Sequence, residues 1–125
     1  MHMLLGDFFT INSIQEEGDT AKAVLELNIT HPIFEGHFPG QPVVPGACLL
    51  QMVKEILQTI KGNNIQLIKA HQLKFISLIN PLENSILQID LKYSNAENGD
   101  IITSATCSYG TITCFKFSGI FQTVK

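Results

Sequence analysis

A chain of 125 residues can bury roughly two thirds of the surface it exposes when unfolded, so it needs neither a disulfide nor a metal to hold a core. Hydrophobic residues make up 45% and charged residues only 15%, which excludes a disordered chain and leaves little polar surface for a lone monomer. The eight basic residues are all lysine against eleven acids, a net charge of −3, and this acidic, arginine-free balance argues against nucleic-acid binding.

The start, Met1 to Phe9, carries an early Asp7, no cationic region and too short an apolar stretch for a signal peptide. No later run is long enough for a membrane span, so the chain reads as one cytoplasmic domain over 1–125. Phe8 to Ile14 is a weak strand, Glu17-Gly18-Asp19 a turn, and Ala21 to Thr30 a strand alternating Ala23, Leu25, Leu27 and Ile29 with polar neighbours. Four of the five prolines then fall between residues 32 and 45, with Gly36, Gly40 and Gly46 among or just after them; so much Pro and Gly predicts a stiff loop without regular structure. Gly46 to Lys61 reads as a helix, apolar most of the way round and ended by Gly62. Its narrow polar stripe is Gln51, Lys54, Glu55, Gln58 and Lys61.

Four strands follow. Ile65 to Ile76 places Leu67, His71, Leu73 and Phe75 on one apolar face, with His71 as a core or interface histidine. Pro81 marks a turn before Ile86 to Tyr93, where Leu87, Ile89, Leu91 and Tyr93 alternate with polar residues. Ile101–Tyr109 and Ile112–Phe121 form a hairpin about Gly110-Thr111, a register that sets Cys107 opposite Cys114. These two and Cys48 have no metal-site spacing and read as small buried hydrophobes. One apolar helix among strands predicts an α+β fold with an antiparallel sheet wrapped round it.

The chemistry concentrates in the loop. The prolines hold the chain path, so His37 is presented at a fixed place, and an imidazole exchanges protons near neutral pH. Gly46 opens the helix, where free N–H groups and the positive end of the dipole point outward. Lacking a Cβ, it would let a substrate carbonyl approach closely. A base beside such donors suits proton abstraction next to a carbonyl. His31 paired with His37 would be a poor metal site, because no third ligand is in view.

The run Gly36-His37-Phe38-Pro39-Gly40-Gln41-Pro42-Val43-Val44-Pro45-Gly46 resembles the signature of the 3-hydroxyacyl-(acyl carrier protein) dehydratases, hotdog-fold enzymes of fatty-acid synthesis. Leu73-Lys74-Phe75, Pro81, Gly110 and Lys116-x-x-Gly119-x-Phe121 extend the likeness weakly over roughly residues 5 to 122. The resemblance implies a homodimer paired edge to edge with sites at the interface. His37 would be the base on C2 of a 3-hydroxyacyl thioester, and the Gly46 N–H would hold its carbonyl. Phe38, Pro45, Ala47 and Leu50 would line the substrate tunnel. No metal or other cofactor is implied. The family places Glu or Asp on the helix fourteen residues after the motif histidine, and here that residue is Gln51, which has no titratable proton and is left to orient the hydroxyl or a water. His37 would then carry both proton transfers. Glu55, one turn on, is more simply a surface charge paired with Lys54 or Lys61, although it would share a helix face with Gln51 and could act through a water. The thioester would ride on an acyl carrier protein, met by lysines 61, 69, 74 and 116, or on coenzyme A. Two alternatives stand beside dehydration: an acyl-thioester hydrolase, and a catalytically weak acyl-binding partner of an active relative.

Overall fold

The computed structural model describes residues 3–36 and 42–124. Strands β1 (Phe9–Glu17) and β2 (Thr20–Leu27) come first, then helices α1 (Ile33–Gly36) and α2 (Gly46–Lys61). Strands β3 (Ile65–Phe75), β4 (Ile86–Asn95), β5 (Asp100–Tyr109) and β6 (Ile112–Thr123) follow. The six strands make one antiparallel sheet in the order β1-β2-β4-β5-β6-β3. Cys48, Leu49, Met52, Val53, Ile56 and Leu57 of α2 join the inward residues of the strands in one core that includes Leu25, Ile89, Phe115, Phe117 and Phe121. This is the antiparallel sheet round one helix that the residue pattern predicts, and the hotdog arrangement that the resemblance implies.

Helix α2 has the bounds its sequence predicts, because Gly62 accepts the left-handed φ of 74° that turns the chain away and its N–H bonds the Gln58 carbonyl at 2.8 Å. Elsewhere local chemistry shifts the limits. β2 stops at Leu27 rather than Thr30, since the Asn28 side chain accepts the N–H and hydroxyl of Thr30 and bends the backbone. The Pro/Gly loop is not wholly irregular: α1 makes one turn just after Pro32, whose fixed φ suits a helix start.

Strand β3 departs most from its pattern. Ten of its eleven residues are exposed, as suits a strand at the sheet's outer edge. Its pairing to β6 slips between Leu67 and Lys69 and again between Ala70 and Gln72. His71 falls in the second slip, so it is exposed at a bulge and not a core residue. Gly119 faces this irregular stretch, where a Cβ would strike the Lys69 carbonyl and lie 2.7 Å from the Phe117 ring. A similar slip at Ser108 pairs Cys107 with Phe115 rather than Cys114. All three cysteines are free and buried, and the Cys114 thiol donates to the Cys107 carbonyl at 3.2 Å.

Candidate functional site

The start of α2 carries unpaired donors. Pro45 precedes it in an extended conformation, φ −63° and ψ 142°, and supplies no side-chain cap. Its carbonyl takes the N–H of Cys48 at 3.0 Å and of Leu49 at 3.4 Å. The N–H groups of Gly46 and Ala47 have no acceptor among the described residues. Two amide hydrogens and the positive helix end therefore face the same space. Just upstream, the buried Val44 donates to the Ile79 carbonyl at 2.9 Å, which ties the approach to α2 to the chain beyond β3.

Gly46 has a role its sequence does not reveal. The place its Cβ would take is filled by Phe75 of β3, whose Cε1 and Cζ lie 2.7 and 2.8 Å from that point. Phe75 stacks on Phe115, with centroids 5.2 Å apart and an interplanar angle of 25°. Yet it stays 57% exposed and forms an apolar wall beside the helix start. Its place in the apolar alternation of β3 is the signal the sequence offers. Ala47 is exposed, while Pro45, Leu50 and Gln51 are half-buried. Spacing of three and four residues puts Ala47, Leu50 and Gln51 side by side on the helix, next to the free N–H groups.

Gln51 is not simply solvated. Its Nε2 donates to Oε2 of Glu55 at 2.8 Å. Glu55 is fully buried, which overturns its reading as a surface charge paired with Lys54 or Lys61. The carboxylate accepts the Leu4 N–H at 2.9 and 2.8 Å through its two oxygens, and the Leu5 N–H at 2.6 Å. The segment before β1 is thus clasped to the middle of α2. The sequence held one hint: an acid placed one turn after a glutamine on a helix that is apolar most of the way round. Lys61 points elsewhere, bonding Asn95 at 3.1 Å and lying 5.2 Å from the Tyr93 ring.

The same N-terminal segment braces the loop. Phe8 packs edge-on to His31 and against Phe34, each at 5.4 Å. His31 Nδ1 accepts the Ile33 N–H, so the ring proton sits on Nε2 and faces Asp7 Oδ2 at 3.1 Å. Both ring nitrogens are thus engaged with the N-terminal segment and the loop. His37 and Phe38 lie outside the described residues. Lys74 and Lys116 are direct cross-strand neighbours, and both are exposed.

A family model described as ApeI dehydratase, of the ApeI-like family, matches residues 13–111. The 3-hydroxyacyl-(acyl carrier protein) dehydratase FabZ of Haemophilus influenzae is 34% identical over 59 residues, 47% of this chain and 36% of that protein. FabZ of Wolbachia pipientis wMel is 27% identical over 84 residues, 62% of this chain and 59% of that one. These matches span between about a third and three fifths of the relatives' length. Among solved structures, the dehydratase heterocomplex ApeI:P from Xenorhabdus doucetiae superposes with a TM-score of 0.75 at 19% identity, over 90% of this chain and 96% of that chain. Cj0977, a virulence protein from Campylobacter jejuni, gives 0.67 at 13% identity over 90% and 83%. Both share the hotdog fold.

Proposed function

We propose, from the premise that this chain belongs to the ApeI-like dehydratase family, that it eliminates water from a 3-hydroxyacyl thioester to give the trans-2-enoyl thioester. The observation that carries this reading is the pair of unpaired N–H groups at Gly46 and Ala47, set beside Leu50 and Gln51 and walled by Phe75. The thioester carbonyl accepts from those donors, which lowers the cost of charge developing on its oxygen. His37 takes the proton from C2. The electrons of that C–H bond form the C2=C3 double bond, the C3–O bond breaks, and the leaving oxygen takes the proton back from the His37 imidazolium as water. Gln51 accepts a hydrogen bond from the 3-hydroxyl and aims it.

The working form is a homodimer of one hotdog domain per chain, paired through β3 with the site at the interface. Of the two sheet edges, β1 exposes Glu16 and Glu17 whereas β3 and its exit expose Leu67, Ile68, Leu73, Phe75 and Ile76. An apolar strand with unpaired backbone groups is the edge that another strand covers. The adjacent lysines 74 and 116 repel each other unless an anion faces them, which suits an acidic carrier protein in the cytoplasm, while the phosphates of coenzyme A offer the same charge.

One second reading has a specific observation behind it. Gln51 supplies no acid, and the Xenorhabdus relative is a heterocomplex. A partner subunit that binds the acyl group beside an active relative fits both facts. Incubating the chain with 3-hydroxyacyl-carrier thioester separates the cases. Dehydration gives an enoyl product that falls by about 10²–10⁴-fold in His37→Ala. Free thiol marks hydrolysis, and acyl binding without turnover marks the partner subunit.

A further inference from the structure

We infer that Glu55 is a positioning residue, holding the Gln51 amide so that its oxygen, and not its nitrogen, faces the substrate. This rests on the proposed dehydratase reading for its effect on rate, but the geometry stands by itself. A carboxylate that only accepts must be met by the amide nitrogen, as the 2.8 Å contact from Nε2 to Oε2 requires. The oxygen Oε1 then points the opposite way, with no donor among the described residues. An exposed Gln–Glu pair one turn apart would rotate freely. Here the carboxylate is fully buried and gripped from its far side by the backbone N–H groups of Leu4 and Leu5. Neither oxygen is free to turn, so the amide is held in one of its two orientations. The outward acceptor takes a hydrogen bond from the substrate's 3-hydroxyl. The segment before β1 thereby acts on the site through one buried carboxylate.

An exchange of the two residues tests this. In Glu55→Gln, the new amide keeps its oxygen on Leu4 and Leu5 and donates its NH₂ to residue 51, so Gln51 turns over and presents NH₂ to substrate. The expected result is a fall of about 10²-fold in kcat with KM little changed, since misaimed groups cost rate more than binding. Gln51→Glu alone sets two carboxyl groups in contact, which must share a proton, and adds a new limb to the pH profile. The double exchange restores a donor facing an acceptor, and kcat recovers above both single variants. In ¹⁵N spectra of the full chain, the Gln51 side-chain amide protons exchange slowly in the wild type and rapidly in Glu55→Gln. Equal kcat, pH profile and Gln51 amide exchange in wild type and Glu55→Gln overturn the positioning role. If the wild type turns over nothing, or His37→Ala keeps full activity, the dehydratase reading fails instead. The amide exchange then still decides what Glu55 does.

Discussion

Replacing Glu55 by leucine measures what the clasp on the N-terminal segment contributes. The change removes the acceptor for two backbone N–H groups and one side-chain amide at nearly constant volume. The Leu4 N–H lies in the core, and a buried donor left without a partner costs about 1–3 kcal/mol. Leu5 and Gln51 are half-buried, and water reaches them at roughly 1 kcal/mol between them. The total is about 2–4 kcal/mol, a fall in Tm of roughly 8–16 °C at about 4 °C per kcal/mol for a chain of this size. Glu55→Gln keeps one acceptor and loses about 1 kcal/mol, or roughly 4 °C. Thermal melts at fixed protein concentration check both values, and hydrogen exchange at Leu4 and Leu5 checks the cause. A surface charge replaced by leucine would move stability by less than about 0.5 kcal/mol. A Tm for Glu55→Leu within 2 °C or so of wild type, or unchanged protection of those two amides, would refute the reasoning.

Gly119→Ala drives a Cβ into the Lys69 carbonyl, which is backbone and cannot swing aside, so a loss near the upper end of the usual 1–3 kcal/mol for overpacking is expected, read as a Tm drop of roughly 10 °C. Gly46→Ala meets only the exposed ring of Phe75 and costs no more than that ring's stack on Phe115, about 0.5–1.5 kcal/mol, and Phe75→Ala relieves it in a double-mutant cycle. Ile68→Asp places a charge on the apolar edge of β3, and light scattering should show the proposed dimer giving way to monomer, whereas an unchanged mass would count against pairing through β3. Lys74→Glu with Lys116→Glu raises KM for a carrier-bound thioester by about tenfold at low salt while leaving the coenzyme A thioester nearly unaffected; equal effects on both would sink the carrier assignment. Burial pushes the Cys48 thiol above its ordinary value of 9.0, whereas the paired Cys107 and Cys114 thiols shift in opposite directions, Cys107 up and Cys114 down, so Cys48 gives the clean sign. The unfolded thiol ionises first, so this contribution is whole below pH 9.0 and is lost as pH rises through the folded value. Melts from pH 7 to 11 should fall only on the alkaline side, and an acid-side loss that disappears in Cys48→Ala would contradict the sign.

The order of the six strands about α2, the bounds of α2 and the inward faces of β2 and β4 follow from local pattern, because alternation and helical period are properties of neighbouring residues. The dehydratase signature from Gly36 to Gly46 is equally local, and so is the lack of a titratable group at Gln51. Three features needed the fold. His71 left the apolar face because two bulges in β3 change which residues face inward, and a bulge is set by the partner strand, not by the strand's own period. Gly46 is glycine partly to admit Phe75, a contact across 29 positions that spacing along α2 does not encode. Glu55 reads as a surface charge on its helix until the segment 51 residues upstream brings two N–H groups to it. Charge on a side chain sets the cost of burying it, and only tertiary packing supplies the donors that offset that cost.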